Sequence, residues 1–214
     1  MEKQTIQSDP YNLIITGVGG QGNVMASRVL GNMLSNNGYT VTIGETFGAS
    51  QRGGSVMSHL RISLTDSYSP QIAKGRAHMV VALEPIEAIR VLAQYGNENV
   101  KVLCNTRPIH SVGVISGEQK YPSQEEIQTW VNDLSSQAWF INATDEAMSQ
   151  MKNPIFGNIM LLGALAATNE LPLSIDDFEA VISETMTPDK VQLNLAAYEK
   201  GGQMLTQATA SVSG

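Results

Sequence analysis

Apolar and polar positions along this chain follow two alternating rhythms. Leu13-Ile14-Ile15 is a short apolar run that stops in a glycine-rich turn, and Asn23 to Ser35 then carries apolar residues at helical spacing. Tyr39 to Ile43 reads as a β-branched strand. Ser55 to Leu64 alternates as another, with Val56, Ser58, Leu60 and Ile62 on one side. Met79 to Leu83 is an unbroken apolar run, as expected of a strand buried on both faces, and Pro85 stands where a helix begins. Val100 to Cys104 and Trp139 to Ala143 are two further strands. Ser123 with Glu126, and Ser174 with Asp177, have the spacing of capping boxes, while Thr187 is an N-cap ahead of a first-turn proline, Pro188. From Asn153 onward the pattern is nearly all helical.

Strands separated by helices predict a parallel sheet covered on both faces. The expected fold is a single three-layer α/β/α domain over residues 11–205, with a mainly parallel sheet and a helical C-terminal extension. Residues 1–10 and 206–214 are polar and weakly patterned, and are expected to be mobile ends. The most apolar stretch, Ile155 to Thr168, is shorter than the ~18 residues of a spanning helix, and Asn158 interrupts it. A buried core helix is expected there.

Composition narrows the function. The chain has 214 residues, 42% of them hydrophobic and 15% charged, enough apolar material for a folded core. A net charge of −7 lacks the basic footprint of a nucleic-acid binder. The N-terminus has no apolar signal region, and Cys104 is the only cysteine, so a cytoplasmic protein without an internal disulfide is expected. One cysteine also rules out a four-cysteine iron–sulfur cluster held by this chain alone.

The turn after the first strand, Gly17-Val18-Gly19-Gly20-Gln21-Gly22, is the first candidate site. Glycines there can take positive φ and leave no side chain in the way, so backbone N–H groups can converge on an anion at a helix N-terminus. Gly17, Gly19 and Gly22 satisfy G-x-G-x-x-G, and Glu45 after the second strand would be the ribose-binding acid of an NAD(P) site. The hexamer also begins like a P-loop, but Asn23-Val24 replace the Lys and Ser/Thr that hold phosphates and Mg²⁺, which excludes nucleotide hydrolysis. Close strand–helix packing would explain the same glycines without any ligand.

A second glycine-rich segment follows the second strand: Ser50-Gln51-Arg52-Gly53-Gly54. It is expected at the same sheet edge, where ligands of α/β folds bind, and Arg52 offers a planar fork for a carboxylate or phosphate.

These two segments, in this order, resemble the γ-type domain of 2-oxoacid:ferredoxin oxidoreductases, and in particular the β subunit of indolepyruvate ferredoxin oxidoreductase. The likeness continues through Asn158 and Leu162-Gly163-Ala164 to Lys190, Asn194 and Gly201. The resemblance implies a non-redox subunit that supports oxidative decarboxylation of an arylpyruvate-type 2-oxoacid to an acyl-CoA. Thiamine diphosphate, Mg²⁺ and iron–sulfur clusters would reside in a larger catalytic partner, with ferredoxin as electron acceptor. It implies no catalytic residue and no metal ligand in this chain. No aspartate here is followed by glycine, so a GDG diphosphate–Mg²⁺ motif is missing as well. Gly17, Gly19, Gly20, Gln21 and Gly22 would hold a phosphate, with coenzyme A as the candidate ligand, and residues 50–54 would face the partner. A free-standing NAD(P)-dependent oxidoreductase and a ligand-free scaffold remain as alternatives.

Other chemistry is sparse. His59, His78 and His110 show no metal-ligand spacing, and His59 is expected on the exposed side of its strand. Cys104 is expected to be an inert buried thiol, Glu84 a residue lining the sheet edge, and the ten methionines core filler.

Overall fold

The computed structural model describes residues 6–48 and 54–212. In chain order the elements are β1 (Tyr11–Val18), α1 (Asn23–Asn36), β2 (Thr40–Phe47), β3 (Ser55–Ser63), β4 (Met79–Ala82), α2 (Pro85–Tyr95) and β5 (Lys101–Asn105). There follow α3 (Val112–Ile115), α4 (Gln124–Asp133), β6 (Gln137–Ile141), α5 (Ala143–Met151), α6 (Phe156–Ala167), α7 (Ile175–Ser183) and α8 (Pro188–Val212). Both predicted capping boxes form, at Ser123 on α4 and at Ser174 on α7.

Among the described residues the strands make one sheet in the order β2-β3-β1-β4-β5-β6. β1, β4, β5 and β6 run parallel, as the strand–helix alternation predicts. β3 departs from that pattern by pairing antiparallel with both β1 and β2. The chain between Phe47 and Ser55 is too short for the dozen or so residues a parallel crossover needs, so β2 and β3 form a hairpin. Its return strand is inserted beside β1.

Alternation within the central strands sorts side chains onto two faces, and both are covered. Leu13 and Ile15 of β1, Met79 and Val81 of β4 and Leu103 of β5 enter the larger core beneath α1 and the C-terminal helices. Ile14, Val80, Val102 and Cys104 point the other way, into a core shared with α2 and α4. This is the expected three-layer arrangement. α6 is the buried helix read from the apolar stretch, with Asn158 to Leu165 all buried. It crosses α8 at contact distance, because a Cβ on Gly163 would lie 1.8 Å from the Tyr198 carbonyl oxygen and one on Gly201 1.8 Å from that of Met160.

The chain keeps regular structure beyond residue 205, since α8 runs on to Val212. Leu205 is buried and Ala208 packs against the same core, while the Thr206 and Thr209 hydroxyls bond back to carbonyls of the preceding turn. Two apolar positions a helical step apart outweigh the polar composition that made this stretch read as a loose end. Among the described residues no helix is long and apolar enough to cross a membrane.

Candidate functional site

The carboxyl ends of β1, β4 and β5 meet in a cleft of about 430 Å³. Gly19, Gly20 and Gln21 form one wall, Asn158 and Ile155 another, and Thr144 and Ile109 its remaining sides. The glycine turn owes its shape to local needs. Gly20 has φ +100° and Gly22 φ +84°, backbone that side-chain-bearing residues rarely adopt. A Cβ on Gly22 would also sit 2.1 Å from Asn158 Nδ2, and one on Gly17 2.6 Å from Gln21 Oε1.

Side chains from distant elements fix the turn. Gln21 Oε1 accepts from the Val18 amide at 2.8 Å, and its Nε2 donates to the Leu83 carbonyl at 2.8 Å. Asn105 Nδ2 donates to the same carbonyl at 2.9 Å and to Thr144 Oγ1 at 2.9 Å, tying the end of β5 to the start of α5. From α6, Asn158 Nδ2 donates to the Gln21 carbonyl at 3.2 Å.

This scaffold presents an open helix end. Gly22 is the N-cap of α1, no side chain caps the helix, and its first turn contains no acid. The leading N–H groups and the positive end of the helix dipole are therefore available to an anion. Asn158 is 3% exposed, and its Oδ1 has no hydrogen-bond partner. A buried acceptor left without a donor is costly, so a ligand N–H or O–H reaching it would be stabilised.

The two glycine-rich segments converge. The Gly19 amide donates to the Gly54 carbonyl at 2.9 Å, which places the exit of the second segment against the first turn. Ser50, Gln51, Arg52 and Gly53 lie outside the described residues. Ser55 Oγ then donates to Glu87 Oε2 at 2.6 Å, and Glu87 also binds Arg90 at 2.9 Å.

Several other candidates resolve differently. β3 lies between β1 and β2, so Glu45 is two strands from the glycine turn, and its carboxylate is 3.8 Å from Arg28 on α1. The ribose-binding acid of a dinucleotide site sits on the strand beside the turn, so Glu45 is not placed for that task. His59 is buried, not exposed. It packs edge-on against Tyr95 and accepts from the Ile72 amide at 3.4 Å, because the face expected to meet solvent is covered by α2 and the chain around Ile72. Burial lowers its proton affinity. His78 stacks on Tyr11 and accepts from the Asn12 amide, and His110 tilts against Tyr121. Cys104 is buried, and burial pushes its thiol far above the usual range, as an inert thiol requires. Asn105 and Thr144 carried no signal in the sequence. Asn158 stood out as a break in the apolar stretch and through the resemblance, but not as a residue of this cleft.

The sequence profile of the pyruvate ferredoxin/flavodoxin oxidoreductase family matches residues 12–204. The chain belongs to this family. It is 36% identical over 191 residues to the indolepyruvate oxidoreductase subunit IorB of Pyrococcus horikoshii, a match covering 89% of this chain and 94% of that one. Two solved structures share the fold. The γ subunit of a keto/oxoacid ferredoxin oxidoreductase from Geobacter sulfurreducens has a TM-score of 0.66 at 20% identity, covering 92% of this chain and 99% of its own. The 2-oxoglutarate:ferredoxin oxidoreductase of Magnetococcus marinus gives 0.72 at 17% identity, covering 94% of this chain and 32% of a longer polypeptide. The resemblance carried by GVGGQG and SQRGG thus holds at the level of the family, and its fold recurs both as a separate subunit and as part of a larger chain.

Proposed function

We propose that this chain is the non-redox subunit of a cytoplasmic 2-oxoacid:ferredoxin oxidoreductase of the indolepyruvate or arylpyruvate type. The overall reaction converts a 2-oxoacid, coenzyme A and two oxidised ferredoxins into an acyl-CoA, CO₂, two reduced ferredoxins and a proton. Thiamine diphosphate with Mg²⁺ would supply carbanion stabilisation, and iron–sulfur clusters would carry the electrons. All of these would belong to a larger catalytic partner.

The observation that carries this reading is the uncapped N-terminus of α1 directly after the Gly19–Gln21 wall of the cleft, in a chain of this family. The uncapped leading amides of α1 and its helix dipole suit a phosphate or diphosphate, whereas the Gly19 and Gln21 amides are engaged with the Gly54 and Val18 carbonyls. The cleft is of a size to take such a group, and the unpartnered Asn158 Oδ1 suits a ligand that also carries a donor. Coenzyme A offers both. Gly17, Gly19, Gly20, Gln21 and Gly22 form the cradle in this proposal, and Ser50 to Gly54 face the partner, with Arg52 as their anion-binding fork.

Co-purification decides between this reading and its rivals. The chain is expected to bring down a larger, cysteine-rich polypeptide with a GDG motif, and the assembly to reduce ferredoxin with an arylpyruvate and coenzyme A. Arg52→Ala is expected to lower that turnover about tenfold or more, or to weaken assembly. A thermal shift of the isolated chain with NAD but not with coenzyme A would favour the dehydrogenase alternative, and a response to neither would favour a ligand-free scaffold.

A further inference from the structure

Glu84 is an unusual way to start a helix. It is the N-cap of α2, where Ser, Thr, Asp or Asn is the ordinary choice, and its Oε2 accepts from the Glu87 amide at 3.1 Å. A shorter side chain would perform that task. The longer one lets the second oxygen, Oε1, reach across to another part of the chain. Oε1 accepts from the Tyr121 hydroxyl at 2.5 Å and from the Ile109 amide at 3.4 Å. One carboxylate oxygen therefore ties down both ends of the segment from Ile109 to Tyr121.

The position of this carboxylate is costly. Glu84 is 2% exposed, and burial raises its pKa. The nearby Arg90 is engaged with Glu87. Glu84 is thus held by neutral donors, an arrangement that a helix cap alone does not require. Its neighbour in sequence, Leu83, accepts at its carbonyl from Gln21 of the glycine turn and from Asn105 at the end of β5. The segment it ties down folds on itself, with the Gln119 amide donating to the Gly113 carbonyl at 2.9 Å, and contributes Ile109 to the lining of the cleft that Gly19 and Gly20 also line.

We propose that Glu84 is a positioning residue of the cleft. Through Ile109 and Tyr121 it holds the 109–121 segment in register with the glycine turn, so that a bound ligand meets a preformed wall. This rests on coenzyme A occupying the cleft as proposed above.

Two substitutions separate positioning from capping. Glu84→Ser keeps a capping oxygen for α2 and loses both ties to the segment. Glu84→Gln keeps an acceptor in reach of Tyr121 and Ile109 and places its amide nitrogen toward the Glu87 N–H, spoiling the cap. Tyr121→Phe, the mildest change, removes one tie and leaves α2 intact. Hydrogen exchange of the 109–121 amides in the isolated chain is expected to quicken about tenfold in Glu84→Ser and Tyr121→Phe and to stay near wild type in Glu84→Gln. In the assembled enzyme the same two variants are expected to raise KM for coenzyme A about tenfold with kcat within about twofold. Wild-type exchange and KM in both Glu84→Ser and Tyr121→Phe would reduce Glu84 to a helix cap and overturn the proposal. Gly22→Ala provides the separate control. If its assembled enzyme keeps the wild-type KM, coenzyme A does not use the cleft and the functional reading fails, while the exchange data still decide the role of Glu84.

Discussion

Replacing Gly22 with alanine tests whether Asn158 and the glycine turn act as a unit. Two costs are separable. At φ +84° the alanine Cβ meets its own backbone, a strain of about 1–2 kcal/mol. It would also sit 2.1 Å from Asn158 Nδ2, so the amide must swing away and release the Gln21 carbonyl. Losing a largely buried hydrogen bond costs about 1–3 kcal/mol. Gly22→Ala alone is therefore expected to cost about 2–5 kcal/mol, and Asn158→Ala alone about 1–3 kcal/mol. In the double variant the collision with Asn158 is gone and its bond is lost only once. The two costs should then fall short of additivity by at least about 1 kcal/mol. Urea unfolding followed by the fluorescence of Trp130 and Trp139 measures all four proteins, with unchanged slopes as the check on two-state behaviour. Additivity within about 0.5 kcal/mol would mean that the two groups are not coupled, and the cleft would lose the clamp that shapes it.

Further expectations follow from single sites. Gly201→Ala drives a Cβ to 1.8 Å from the Met160 carbonyl and should cost about 3 kcal/mol or more in urea unfolding, whereas Gly202→Ala, whose nearest atom is 3.5 Å away, should gain about 1 kcal/mol from helix propensity. Cys104 should resist thiol reagents in the native protein and react at once in urea; rapid native labelling would contradict its burial. Burial lowers the pKa of His59 below 6.5, so the unfolded chain binds the proton more readily. Stability from this group is complete above pH 6.5 and declines as pH falls below it through the lowered folded value. His59→Phe should therefore flatten the drop in urea midpoint between about pH 7.5 and about pH 5, and an unaltered slope would show that His59 does not titrate with unfolding.

What could be read in advance depended on how far apart the cooperating residues lie. A strand, a glycine turn and a helix are neighbours in sequence, and their requirements appear as adjacent letters, so the turn and the start of α1 were legible. The reversed strand was not foreseen from strand rhythm, although the short chain between Phe47 and Ser55 already forbade a parallel crossover. His59 shows a different limit. Alternation correctly set it on the opposite side from Ser58 and Leu60, but in a sheet covered on both faces alternation divides one core from another, not core from solvent. The cleft lies beyond any local rule. Asn158 reaches a carbonyl 137 residues away, and Asn105 joins Leu83 to Thr144 across two connections. Such polar pairs have no period, and an asparagine inside the most apolar helix reads as a flaw in that helix until its partner is known. The same asparagine forbids a side chain on Gly22, so the irregular residue of α6 explains a glycine that the turn motif alone could only count.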